Sequence, residues 1–385
     1  MFVIVLILFL LFPVFSIPLI ILGLLLDEKH NKLYAALFTV WISIILYYLV
    51  PDFDMDLYRY YSYMDSVKNI DIPLFINTII VKTEPLAYSI MYFFAKLNNN
   101  SLIMVFTTFL SYSIIFYIMY DYMKEKKITK LEKNIIVIYV LCTFLVIANI
   151  TGLRLCIARL IFILGLYLDF FKGKKNIFIL LLYILPIFIH TSAFLLVVIR
   201  VVMFLNKNKF NMKYAFLIFI ISLSPNLLIN LASKVINISF LASLSSRAEI
   251  YLANYYSGMS NIYLLQIALM FFMLISTIYL KRTAKNYNEK FINFSLIILI
   301  IALAYITTSA ISTRFIVIAI TNSIIINLDL IEKVKGKNKL FFMICLISFS
   351  IVYFVYQVIL FKDVIGYGNL FNENILKNII TIFNK

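Results

Sequence analysis

Glycine is scarce in this sequence, with eight residues among 385. There is no Gly-rich dinucleotide turn, no phosphate-cradling P-loop, no His-Glu-x-x-His and no Cys-x-x-Cys pair. Their absence argues against nucleotide hydrolysis, dinucleotide chemistry, zinc-hydrolase chemistry and dithiol redox work. The three cysteines, Cys142, Cys156 and Cys345, lie in apolar runs at non-metal spacing and read as small core residues. No internal repeat is visible, which weighs against a transporter built on inverted repeats. Charge is also thin, at 14% of residues, whereas 64% are hydrophobic and the mean hydropathy is +1.00. No soluble fold covers that much apolar surface. The composition therefore predicts an all-α polytopic membrane protein, since a chain in lipid must satisfy its own backbone hydrogen bonds.

Twelve spans are expected, at 2–26, 33–50, 101–120, 134–150, 155–171, 176–189, 191–205, 214–231, 262–280, 291–307, 311–331 and 340–361. Together they form one integral domain over 1–385. Residues 1–26 lack a basic start and a small-residue cleavage site, so they read as a retained helix. The pair 176–189 and 191–205 is short and interrupted by Pro186 and His190, the pattern of a broken or re-entrant hairpin. Six short loops, at 27–33, 121–133, 172–175, 200–213, 281–290 and 331–339, hold 22 of the 34 basic residues. Alternating spans put all six on one side, which the positive-inside rule makes cytoplasmic. Both termini, the 51–100 loop and the 232–261 loop then face outward. The net charge of +16 is accounted for by topology and needs no nucleic-acid partner.

The arginines depart from that pattern. The cytoplasmic loops carry 20 Lys and two Arg, Arg200 and Arg282, while Arg59, Arg154, Arg159, Arg247 and Arg314 fall on or toward the outer side. Lysine suffices for orientation. Arginine suits bidentate grip on phosphate and stays charged in a low-dielectric site. The outward arginines point to an anionic ligand such as a lipid-linked phosphate or diphosphate. The stretch Asn149–Ser192 concentrates the signal, because Arg154, Arg159 and His190 enter apolar segments where an unpartnered charge is costly. Arg159 lies about 7–8 Å deeper than Arg154 on a helix. The bland alternatives are that Arg154 snorkels to the interface and that His190 is a hydrogen-bonded strut between helices.

A second cluster reads Pro51-Asp52-Phe53-Asp54-Met55-Asp56-Leu57-Tyr58-Arg59-Tyr60-Tyr61. Carboxylates can take a proton from a sugar hydroxyl or hold a divalent cation. Tyrosines offer sugars an apolar face with a hydrogen-bonding rim. An interfacial aromatic belt with solvated acids is the competing account. Glu84-Pro85 opens an amphipathic, interfacial or re-entrant segment running to Leu97, in which Glu84 can be a plain N-terminal cap. Arg247 lies with Glu249 and Tyr251 in an outer loop, and Ser312-Thr313-Arg314 opens the eleventh span.

These features together resemble the EpsG-like branch of the bacterial Wzy polysaccharide polymerases, which make O-antigen, capsule or exopolysaccharide. The resemblance covers most of the chain. It rests on Asp56-Leu-Tyr-Arg-Tyr-Tyr61, Glu84-Pro85, Gly152-x-Arg154-x-x-x-Ala158-Arg159, Phe188-Ile-His190-Thr-Ser192 and Arg314. The family pattern commonly has a glutamine just after the first arginine, where this chain has Leu155-Cys156. The resemblance implies a GT-C-like glycosyltransferase of the bacterial plasma membrane, acting outside on undecaprenyl-diphosphate-linked oligosaccharides. It implies no cofactor, since the donor carries its own activating diphosphate, and a separate membrane protein as chain-length regulator.

On that reading Arg154 and Arg159, with Arg314 as a third candidate, stabilise charge on the departing diphosphate. His190 is the candidate base, with Asp56 and Glu84 as alternatives. Tyr58, Tyr60 and Tyr61, with Arg59 and Arg247, bind substrate. A lipid-linked oligosaccharide flippase, a ligase passing finished glycan to another acceptor, and an acyltransferase using His190 remain as other readings. A flippase requires polar residues through the whole depth of the membrane.

Overall fold

Proline and glycine mark where the helices break. The computed structural model describes residues 1–51, 55–144, 152–205, 261–283, 288–305 and 309–365. Within these it is all-helical, with fifteen helices and no strand. The expected span at 214–231 and Arg247 lie outside the described residues. The first apolar run, expected as one helix, is two: α1 (Phe2–Leu11) and α2 (Pro13–Leu26). Pro13 stands at the first position of the second, where its missing N–H costs nothing, and Phe12 leaves helical geometry between them. The helix α3 (Asn31–Tyr47) follows.

The 51–100 stretch, expected as a loop with one amphipathic segment, folds into three helices: α4 (Asp56–Val67), α5 (Ile72–Ile79) and α6 (Pro85–Lys96). Only the last was legible in advance. Next come α7 (Leu102–Met123), α8 (Lys130–Thr143) and α9 (Leu153–Phe170). A reciprocal capping box of Thr129 and Glu132 starts α8. The short pair is present as α10 (Ile177–Ile189) and α11 (Ala193–Leu205), broken at His190, while Pro186 lies inside α10 and does not interrupt it. Thirteen residues give each about 20 Å, short of a hydrocarbon core of about 30 Å. The remaining helices are α12 (Asn261–Thr283), α13 (Glu289–Ala304), α14 (Ser309–Lys333) and α15 (Gly336–Ile365). Leu102–Met123, Phe315–Lys333 and Gly336–Val355 are long and apolar enough to cross a membrane, and several shorter apolar helices accompany them.

The chain forms two compact units. The first contains Met1–Ile161, Phe188–His190 and Ser350–Lys385. Here α3 packs on α2 and α7. Gly23 permits the close approach, because a Cβ there would lie 2.2 Å from the Tyr34 ring. Phe38 meets Tyr112 and Phe116 edge-on, and α4 and α5 pack on α6. Buried Thr39, Ser43, Thr107 and Ser111 return their hydroxyls to carbonyls four residues back, which satisfies them without water. The second unit contains Phe162–Ile187 and Thr191–Phe349. In it α12, α13 and α14 pack on one another, and α11 rests on α13. Its interior is partly polar: Asn322, Asn327 and Asp329 of α14 are buried, and Lys281 donates to Asn293 at 2.9 Å.

Candidate functional site

Three separated pieces of sequence meet at Arg154. Pro85 sets the first turn of α6, which places Glu84 at its N-cap position. The Glu84 side chain makes no cap hydrogen bond. It turns inward, is 0% exposed, and pairs with Arg154 Nη1. Arg154 stands in the first turn of α9, where the Cys156 N–H closes on the Gly152 carbonyl at 2.8 Å. The third piece is the inner face of α4, where Leu57, Tyr60, Met64 and Val67 recur at helical spacing and are buried. Arg154 Nε donates to the Tyr60 hydroxyl at 3.1 Å, with its Cζ 5.0 Å from the ring centroid. Burial raises the Tyr60 phenol above its ordinary pKa and the Arg154 charge opposes the rise, so the hydroxyl keeps its proton at neutral pH.

The arrangement is directional. Glu84 and Tyr60 occupy Nη1 and Nε of the guanidinium, and neither contact uses Nη2. The Arg154 side chain is 20% exposed, whereas its carboxylate partner is sealed. A guanidinium held at Nε and Nη1 is preorganised, and Nη2 is the nitrogen through which it can meet an anion. Removing either member leaves a buried charge alone, which costs about 3–5 kcal/mol.

A family model decides the affiliation: the EpsG family matches residues 52–372. The chain belongs to the EpsG family. This is a family of polysaccharide polymerase-like proteins, and the match includes all three pieces that meet at Arg154. No curated protein and no solved structure matches the chain.

The other residues singled out in this EpsG-family chain are distributed around that cluster. Arg159 is buried on α9, about 140° round the helix from Arg154 at 100° per residue. Its Nε donates to the Leu155 carbonyl at 3.2 Å, and its charge reaches Cys156. The two arginines thus address different faces of one helix. His190 occupies the turn between α10 and α11 and is half-buried, in the same compact unit as Arg154. Asp56 and Arg59 pair with each other at 3.3 Å in the first turn of α4, and Asp56 stands one turn before Tyr60, where its charge acts on the phenol. Tyr58 is exposed, and Tyr60 is committed to Arg154 rather than open to a sugar face. Burial pushes the Tyr61 phenol up to about 12, with the neighbouring Ser101 hydroxyl opposing the rise. Arg314 lies in the second turn of α14, and its side chain falls outside the described residues. Among the described residues no group of three or more His, Cys, Asp or Glu is placed to hold a metal.

One constellation was missed. Asp169 near the end of α9 accepts from Arg200 Nη2 at 2.7 Å and from the Tyr183 hydroxyl at 2.9 Å, both on Oδ2. Arg200 was expected as a loop charge. It lies inside α11, with its guanidinium carbon 4.7 Å from the Phe170 ring centroid. The sequence did hold a signal: Asp169 is the only carboxylate between Glu132 and Glu249. An acid isolated in so long an apolar stretch needs a cationic partner.

Proposed function

We propose that this EpsG-family protein is a polysaccharide polymerase. It joins undecaprenyl-diphosphate-linked oligosaccharide repeat units on the outer face of the plasma membrane, through twelve crossings in a GT-C-like arrangement. The observation that carries the reading is the Glu84–Arg154–Tyr60 cluster, an arginine fixed on two atoms and still 20% exposed. In the reaction an acceptor sugar hydroxyl attacks the anomeric carbon of the donor glycan. The new glycosidic C–O bond forms as the anomeric C–O bond to diphosphate breaks. Undecaprenyl diphosphate leaves with the electron pair, and its added negative charge falls on Arg154. Arg159 adds positive charge from its own face of α9. The acceptor proton passes to His190, the chain's remaining histidine besides His30, with Asp56 as the alternative. Glu84 serves to position Arg154. The donor is activated by its own diphosphate, which fits the absence of nucleotide motifs.

The flippase reading gains one observation, namely the buried polar groups of the second unit. Asp169, Arg200, Lys281 and Asp329 lie toward the ends of their helices that the basic loops make cytoplasmic. The two readings separate in one experiment. Purified protein incubated with a synthetic undecaprenyl-diphosphate repeat unit, without nucleotide sugar, should give a ladder of lengthened products. Unchanged single repeats, moved across a vesicle membrane, would establish the flippase instead.

A further inference from the structure

The short helix α5 presents an apolar stripe that its own chain does not cover. Ile72, Ile76 and Ile80 recur every fourth residue and are 63%, 47% and 72% exposed. The helix is fixed by its other flank. Phe75 is buried and stacked on Tyr92 of α6, with ring centroids 3.8 Å apart and planes 9° from parallel. The Tyr92 hydroxyl donates to the Ile70 carbonyl at 2.7 Å, which pins the start of α5 to α6. The end of α6 is pinned in turn, because Asn99 donates to the Tyr47 hydroxyl at the end of α3 at 2.8 Å. Three residues later α7 begins, a helix long and apolar enough to span. These bonds hold α5 at the level where α3 ends and α7 enters the hydrocarbon.

Charge completes the pattern. Lys68 and Lys82 bracket α5 in sequence, and Lys96 stands beside it on α6. Lys82 lies over Tyr88 and Lys96 over Tyr92, at 5.4 and 5.3 Å from the ring centroids. An open hollow of about 660 Å³ at the α5–α6 seam is lined by Ile72, Pro73, Tyr92 and Phe93, with Asp71 and Lys96 beside them. An apolar floor with one ammonium and one carboxylate fits a phospholipid headgroup and its first acyl carbons. A helix in water gains nothing from exposing such a stripe, whereas at the headgroup–acyl boundary the same stripe is buried and flanking lysines meet phosphates.

We infer that α5 is an interfacial anchor lying in the leaflet at the α3–α7 end, with Ile72, Ile76 and Ile80 in the acyl region and Lys68, Lys82 and Lys96 at the phosphates. The inference rests on the membrane placement of α3 and α7 and not on the transfer reaction. It is tested on the full chain in vesicles of phosphatidylethanolamine and phosphatidylglycerol. Trp41, the single tryptophan, is replaced by phenylalanine, and tryptophan is placed at Ile76 or, as a control on the polar side of α5, at Asn77. The I76W emission should be blue-shifted and should lose more than half its intensity when the acyl chains carry bromine. The N77W emission should respond to aqueous iodide instead. Iodide quenching of I76W without a bromine effect would place the stripe in water. If neither agent quenches and an Ile76→Cys variant cross-links chain to chain, a second copy covers the stripe. Either result overturns the inference. Product ladders from I76W report on the transfer reaction separately.

Discussion

The chain builds the same three chemistries twice, and the two constructions differ in which group is the hub. In Glu84–Arg154–Tyr60 the arginine is the centre, with an acid on Nη1 and a phenol on Nε. In Asp169–Arg200–Tyr183 the carboxylate is the centre, and one oxygen takes both donors. Arg200 also lies 4.7 Å from the Phe170 ring centroid and 5.8 Å from that of Tyr183. A central arginine held on two atoms can offer its third nitrogen to an anion. A central carboxylate serving two helices acts as a latch: it ties α9, α10 and α11 together and spends its partners on closure. The same residue types in lipid thus give a site or a strut according to which of them is shared.

The sharpest way to break this comparison is to replace each ion pair by apolar residues of similar size. Such replacements of buried pairs are commonly neutral or stabilising. In E84L/R154M the protein should fold and insert, and polymer formation should fall by at least about 10²–10³-fold, the range for losing one preorganised donor. In D169L/R200M polymer formation should stay within a few-fold of the parent. Product ladders from matched amounts of purified protein measure both. Equal losses in the two doubles would erase the distinction between site and latch.

That distinction was only half legible in the sequence. Arg154 stood out because an arginine in an apolar segment is costly, and Glu84-Pro85 stood out as a helix start. Their pairing was not visible, because 70 residues separate them and each had a sufficient local account, snorkelling for one and capping for the other. Tyr60 was grouped with Tyr58 and Tyr61 as a sugar platform. The helical period of α4, which turns Tyr60 inward and Tyr58 outward, sorts them only once the segment is known to be a helix. The same blindness hid α5, whose eight residues are too few for periodicity to declare. Long spans such as Leu102–Met123 were read within a few residues, since hydropathy over a whole crossing is a strong signal. The break at Phe12 was not, because a proline inside an apolar run marks either a kink or a new helix start.

Single replacements sharpen the contrast at a lower magnitude. Glu84→Ala leaves Arg154 without its counter-charge in a mostly buried place, and Asp169→Ala does the same to Arg200. Each should cost about 3–5 kcal/mol in reversible unfolding in detergent. Their kinetic signatures should part. Glu84→Gln keeps an acceptor but not the charge, so kcat should drop while the pH profile keeps its shape, as expected of a residue that positions Arg154. Loss of the profile's acidic limb in Glu84→Gln would instead make Glu84 the base and remove His190 from that role.

The smallest effects test whether the phenols belong to their hubs. Tyr60→Phe removes the acceptor for Arg154 Nε and leaves the ring in place. A hydrogen bond to a charged group contributes at least about 1.5 kcal/mol net, so a loss of about ten-fold in kcat/KM is expected, with little change in stability. Tyr183→Phe removes a donor to Asp169 that Arg200 still serves. Its cost of about 1.5 kcal/mol, the lower end for a hydrogen bond to a charged group, should appear in the unfolding midpoint, with the rate unchanged. The two phenylalanine variants differ from the parent by one oxygen each. If both moved the rate, or both moved only the stability, the hub would not be what separates a site from a strut in this fold.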